Sequence, residues 1–172
     1  MLKWAAAMWL LVFVNGSWPE AGAGDSQRAD QALSNITRAI LESGEKFILI
    51  SIEPIRTLPE RSTAKTEYFH NHKVLGQTEI KDPKQKSELL KALYTGVEQY
   101  EKGEFAVPEC FVPRHGIKAV AGTNWVELVI CFECKQIVED SNKGHAWTMV
   151  SEEPRQLFNR TLQEAGVLLA KR

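Results

Sequence analysis

The residues with the widest chemical range in this chain are three cysteines and a histidine between positions 110 and 134. Cys110 and His115 belong to the segment C-F-V-P-R-H-G, and Cys131 and Cys134 form a C-x-x-C pair. Thiolates and imidazoles are zinc ligands, and thiols also form and exchange disulfides. Arg114, next to the histidine, is placed to contact an anionic group. The candidate site is therefore one of sulfur chemistry or metal binding.

A predicted hairpin brings these residues together. The β-type runs 116–120 and 125–137 flank a Gly/Asn turn at 121–124, a common signal for two antiparallel strands. Folding the chain back at this turn places the segment near Cys110 beside residues in the low to middle 130s. We therefore expect all three thiols and the imidazole to lie close to one another.

A structural disulfide is the first interpretation of this group. Side chains alternate between the two faces of a regular strand, so Cys131 and Cys134 are expected to point in opposite directions. Cys110 can then pair with only one of them, either Cys131 or Cys134, and so tie the beginning of the hairpin to its end. The third cysteine is expected to be a buried, unreactive thiol.

A zinc site and a thiol redox centre are the two alternatives. The zinc site would use Cys110, His115, Cys131 and Cys134, and four protein ligands are typical of structural rather than catalytic zinc. The redox centre would use Cys131 and Cys134 as its working pair. However, β-type residues follow Cys134, so the sequence does not predict the helix N-terminus that lowers a thiol pKa in many such centres.

The first residues have the pattern of a cleavable signal peptide. Lys3 gives a basic start, the apolar run 4–14 has eleven residues, and small residues end at Ala23, where we place the cleavage. A membrane-spanning helix needs about 20 apolar residues, so this run is too short to be one. We expect residues 1–23 to be removed and residues 24–172 to form one periplasmic or extracellular domain without a membrane span.

The composition of the remaining chain excludes some classes of partner and of active site. Removal of the signal peptide takes away Lys3 and Glu20 and leaves a net charge of −1. Nucleic acids and anionic membranes select strongly basic surfaces, so neither is expected as a partner. The sequence also lacks a glycine-rich phosphate loop and a G-x-S-x-G nucleophile motif. These features favour a non-catalytic domain.

Apolar periodicity and turn residues predict the elements that position the cysteines. The mixture of helices with hairpin-connected strands indicates an α+β fold, with a largely antiparallel sheet and about three helices packed against it in a single domain. We predict helices over 26–42, from Asp82 and Pro83 to about Gly103, and from a Ser151 cap to Ala165. Strands are predicted over 47–52, within 68–80, and over 116–120, 125–137 and 145–150. An exposed loop is predicted over 54–65 and a turn at 141–144.

The chain resembles a group of uncharacterised exported bacterial proteins. The residues that carry this resemblance are Phe69-His70, Val74-Leu75-Gly76 with Ile80, Cys110-Phe111 with Pro113-Arg114-His115-Gly116-Ile117, and Leu128-Val129-Ile130-Cys131-Phe132-Glu133-Cys134. The resemblance covers about two thirds of the chain after the signal peptide. It implies a bacterial protein in a periplasmic or extracellular setting and implies no activity.

Taken together, these patterns favour a small exported domain with a binding or structural role, stabilised by its Cys/His-rich hairpin. The alternative is a zinc-binding or thiol-redox protein that uses the same residues.

Overall fold

The structure is a computed structural model that describes residues 33–56, 66–102 and 110–171 of the chain. The predicted signal peptide, residues 26–32 of the first predicted helix and residues 57–65 of the predicted loop lie outside these ranges.

The fold is α+β, as the sequence predicts, and the described residues build a curled antiparallel sheet of seven strands. Every strand pairing is antiparallel, and the spatial order of the strands is β2-β3-β1-β4-β5-β6-β7. The strands are β1 (Lys46–Arg56), β2 (Tyr68–Phe69), β3 (His72–Glu79), β4 (His115–Ala121), β5 (Asn124–Cys131), β6 (Gln136–Ser141) and β7 (Gly144–Met149).

In the part of the chain that the structure describes, three helices pack on one face of the sheet and form the main core with it. They are α1 (Asn35–Ser43), α2 (Pro83–Lys102) and α3 (Arg155–Glu164). Their buried apolar residues join those of the inner sheet face in one cluster, which includes Leu41, Leu93, Phe158, Ile117 and Leu128. A smaller apolar cluster lies on the outer face and contains Ile48, Ile50, Ile52, Phe69 and Val129.

The helix termini partly follow the sequence signals. Asp82 caps α2 as predicted, because its Oδ1 accepts the Lys84 N–H at 3.1 Å. In the described residues α1 begins at Asn35 after a Ser34 cap and ends at Ser43, so it overlaps the C-terminal part of the predicted helix 26–42. The predicted Ser151 cap of α3 is wrong: its hydroxyl donates to Gln99 at 3.0 Å, and α3 follows Pro154.

Strand β1 continues to Arg56, where the sequence predicted a loop from Pro54 onward. Proline lacks the N–H that a ladder needs and is therefore confined to edges and bulges. Here the pairing of β1 with β3 is irregular between Ile52 and Arg56, so Pro54 lies where a ladder bond is dispensable.

The largest departure from prediction is the run 125–137, which is two strands rather than one. β5 ends at Cys131, residues 132–135 form a tight turn, and β6 begins at Gln136. The turn is closed by the Lys135 N–H, which donates to the Phe132 carbonyl oxygen at 3.2 Å. Lys135 has a φ of 54°, a left-handed conformation usual for Gly or Asn rather than Lys. The sequence therefore contains no recognisable signal for this turn.

Within the described ranges, none of the helices has the length and apolar character needed to cross a bilayer.

Candidate functional site

The turn after β5 brings the two cysteines of the C-x-x-C motif together. The sulfur atoms of Cys131 and Cys134 lie at disulfide distance, and their Cα atoms are 5.1 Å apart. Both side chains are buried, with relative exposures of 1 % and 0 %. The expectation that these side chains point in opposite directions is wrong, because it assumed a regular strand and the turn interrupts that strand.

Cys110 is the free thiol of the group, so the expected pairing of Cys110 with Cys131 or Cys134 is not the one found. Its side chain is exposed, yet its Sγ lies 2.8 Å from Sγ of Cys134. The chain folds back at the hairpin and places Cys110 beside the middle 130s, as predicted. We call Cys110, Cys131 and Cys134 the thiol cluster.

Backbone hydrogen bonds hold the chain on both sides of the thiol cluster. The Arg114 N–H donates to the carbonyl oxygen of Ile130 at 3.3 Å, and the Arg114 carbonyl oxygen accepts the Ile52 N–H at 3.1 Å. The segment that leads from Cys110 into β4 is therefore held between β1 and β5. This pairing holds the residues just before β4 beside the end of β5.

Two backbone N–H groups point at sulfur atoms of the thiol cluster. The Cys134 N–H donates to Sγ of Cys131 at 3.1 Å, and the Val112 N–H donates to Sγ of Cys134 at 3.2 Å. Hydrogen bonds to the charged form of a group favour that form. Both sulfurs thus have a donor that would stabilise a thiolate after the disulfide is opened.

His115 does not join the thiol cluster. Directly paired residues share a sheet face, so His115, opposite Ile130, projects to the inner face, whereas the next residue, Cys131, projects to the outer one. The imidazole is buried against Phe132 and Phe158, and its Nε2 lies 2.7 Å from Oδ1 of Asn159. Burial lowers the pKa of His115 from 6.5 to about 4.

The zinc interpretation needed all four side chains at one point, and the structure does not bring them together. In residues 33–56, 66–102 and 110–171, no group of three or more His, Cys, Asp or Glu side chains has an arrangement that could hold a metal ion. Two of the four predicted ligands, Cys131 and Cys134, are instead paired with each other.

Arg114 is engaged with a carboxylate of the same chain. Its Nη1 lies 2.6 Å from Oε2 of Glu133, the third residue of the C-F-E-C motif. Arg155 approaches the other oxygen of Glu133 at 3.3 Å and also pairs with Glu152 at 2.6 Å. The anion contact proposed for Arg114 is thus supplied from within the C-x-x-C turn, which these two arginines hold against α3 and β4.

Sequence reasoning gave no role to a second charged group on the outer sheet face. Glu127 accepts a hydrogen bond from His70 at 2.9 Å and pairs with Lys118 at 2.6 Å. His70 lies in the turn between β2 and β3 with a φ of 50°, inside the range 68–80 in which the sequence predicts strand. A separate open groove of about 710 Å³ runs between α1 and α2 and carries both acidic and basic side chains.

Comparison with protein-family models, with curated proteins and with solved structures finds no match to this chain.

Proposed function

We propose that this chain is an exported thiol–disulfide exchange protein, in which Cys131 and Cys134 alternate between a disulfide and two thiols. The observation that carries the proposal is the position of the Cys110 Sγ, 2.8 Å from one sulfur of a cysteine pair at disulfide distance. Exchange requires a thiolate to reach a disulfide sulfur, and the thiol cluster holds the Cys110 thiol next to the cysteine pair.

The position of the paired cysteines argues against a purely structural staple. Cys131 and Cys134 are three residues apart, so the loop they close is very short. By the loss of loop-closure entropy in the unfolded chain, such a cross-link stabilises the folded state by about 2 kcal/mol. A link from Cys110 to Cys134 would stabilise it by about 3.5 kcal/mol. The pairing found is the less stabilising one and leaves the third thiol beside it.

Backbone donors supply what a helix N-terminus supplies in other thiol centres. A strand follows Cys134, so no helix dipole is available there to stabilise a thiolate. The N–H groups of Val112 and Cys134 are an alternative source of thiolate stabilisation, one for each sulfur of the pair. The signal pattern and the proposed periplasmic or extracellular location fit this chemistry, because disulfides persist in oxidising compartments.

The proposal is tested by alkylation and mass spectrometry of the folded protein across a series of dithiol/disulfide redox buffers. We expect one alkylatable cysteine, Cys110, in the oxidised protein and three after mild reduction, with an unchanged circular dichroism spectrum and full reversal on reoxidation. A pair that can be reduced only after unfolding would overturn the proposal in favour of the binding or structural domain. Zinc that copurifies with the reduced protein and is lost on denaturation would favour the metal-site alternative.

Two serine variants provide matched controls. Cys134→Ser removes the sulfur that lies beside both Cys131 and Cys110, so it should lose the two-electron transition. Cys110→Ser leaves the pair in place and should titrate with one fewer alkylatable thiol. A transition that persists in Cys134→Ser would show that the measured redox change does not belong to this pair.

A further inference from the structure

We infer that Cys110 is the residue that exchanges with the partner, that the buried pair stores the disulfide, and that the partner is a polypeptide with two thiols. This inference rests on the proposed function and assigns a separate role to each sulfur of the thiol cluster.

The division of roles follows from burial. Cys131 and Cys134 have relative exposures of 1 % and 0 %, whereas Cys110 is exposed. A thiolate on another protein must approach its target sulfur directly and cannot do so through packed side chains. Since Cys110 is in contact with Cys134, it offers the route by which the buried disulfide can be reached.

The first step moves the disulfide to the surface without net oxidation. The Cys110 thiolate attacks Sγ of Cys134, the bond between Cys134 and Cys131 breaks, and a bond between Cys110 and Cys134 forms. Cys131 leaves as a thiolate, where the Cys134 N–H already donates at 3.1 Å, and it takes up the proton that Cys110 released. The protein now carries an accessible disulfide.

The following steps oxidise the partner. A partner thiolate attacks Sγ of Cys110, which forms a mixed disulfide and releases Cys134 as a thiolate beside the Val112 N–H at 3.2 Å. The partner's second thiolate then attacks its own sulfur in the mixed disulfide and releases Cys110. Two thiols of the partner become one disulfide, and their protons and electrons reside on Cys131 and Cys134 as two thiols.

The geometry discriminates between partners with one thiol and partners with two. After the mixed disulfide forms, Cys134 is again next to Cys110 and can attack it, which expels the partner unchanged. A single thiol has no faster way to resolve this species. A second thiol on the same polypeptide competes at a high effective concentration and carries the reaction forward. Net oxidation is therefore expected with dithiol polypeptides.

The test measures how fast the oxidised, folded protein oxidises a synthetic peptide that contains two reduced cysteines. A matched peptide with one cysteine replaced by serine, and glutathione as a small thiol, are run at equal thiol concentration. We expect the dithiol peptide to be oxidised at least about ten times faster than either comparator, in line with intramolecular effective concentrations. Equal rates would overturn the assignment of a dithiol partner.

Two variants test the route. Cys110→Ser should lose at least about 100-fold in the rate of peptide oxidation while its circular dichroism and thermal unfolding stay those of the wild type, since the position is exposed. In a buffer with excess oxidised glutathione as the oxidant, Cys131→Ser should form a disulfide between Cys110 and Cys134 that peptide mapping identifies. Oxidation by Cys110→Ser at the wild-type rate would overturn the relay and leave the proposed function standing. An inactive wild type whose pair is reduced only on unfolding would overturn both.

Discussion

The Nε2 atom of His115 lies 2.7 Å from Oδ1 of Asn159, a contact that fastens α3 to the inner face of the sheet. Since the imidazole is buried between Phe132 and Phe158, protonation would place a charge inside the apolar core. The inner-face position separates the histidine from the thiol cluster, and its burial makes it a determinant of acid stability.

The buried imidazole predicts a loss of stability in mild acid. The pKa of His115 is about 4 in the folded protein, below its ordinary value of 6.5, so the unfolded chain binds the proton first as the pH falls. The neutral imidazole therefore contributes fully to the free energy of unfolding above pH 6.5, and this contribution is lost between about pH 6.5 and 4. At 1.36 kcal/mol per pKa unit, the total loss is about 3 kcal/mol. Urea unfolding at a series of pH values measures it.

The control for this prediction is a comparison of two histidine variants. His115→Gln should have a flatter dependence of the free energy of unfolding on pH in this window, whereas His145→Gln, at an exposed position, should keep the wild-type slope. A wild-type slope in His115→Gln would contradict the assignment.

The ion pair at Glu127 predicts a second transition at lower pH. The hydrogen bond from His70 and the charge of Lys118 lower the pKa of Glu127 from 4.5 to about 2. Its stabilisation is present above pH 4.5 and is lost as the pH falls toward 2. Because the group is partly solvated, we expect Glu127→Gln to cost only about 1 kcal/mol at pH 7.

Two comparisons check that transition. The loss in free energy of unfolding caused by Glu127→Gln should become smaller below pH 4.5. Lys118→Met should also lower the free energy of unfolding, by a smaller amount. If urea unfolding shows the same destabilisation by Glu127→Gln from pH 7 to pH 2.5, the carboxylate charge does not contribute to stability.

A buried hydrogen bond joins α1 to β6 and predicts a clear mutational effect. The Thr37 hydroxyl donates to Oε1 of Glu139, and the two side chains have relative exposures of 1 % and 7 %. Thr37→Val removes the donor and should cost about 1–3 kcal/mol, because the buried carboxylate loses a partner. Thr37→Ser keeps the hydroxyl and should cost less. If urea unfolding shows equal losses of stability for Thr37→Val and Thr37→Ser, the hydrogen bond does not contribute and only packing is affected.

Gly116 makes room for the ring of Phe69 on the outer face. A Cβ at position 116 would lie 2.6 Å from Cε1 of Phe69, so Gly116→Ala should destabilise the fold by about 1–3 kcal/mol through overpacking. Phe69→Leu removes the opposing ring, and the double variant should lose less than the sum of the two single losses. Additive losses in thermal or urea unfolding would refute this steric account.

The elements whose signals are local were predictable from the sequence. The Asp82 cap, the apolar face of α2 and the Gly/Asn turn between β4 and β5 depend on neighbouring residues, and all appear as predicted. These hairpin and helix patterns were sufficient for the α+β assignment with an antiparallel sheet. They also placed Cys110 near the C-x-x-C motif, because a hairpin register follows from its turn.

The arrangement of the site was decided by the tertiary structure. The turn at 132–135 contains no Gly, Asn or Pro, so the sequence suggested one continuous strand and opposite directions for Cys131 and Cys134. The ladder bonds between β5 and β6 flank this turn, and the contacts of Glu133 with Arg114 and Arg155 hold it from distant segments. These contacts accommodate a lysine in a left-handed conformation. Local sequence therefore specified which residues could meet, while the turn held by tertiary contacts decided which sulfurs pair, and the register of β4 with β5 decided which face His115 occupies.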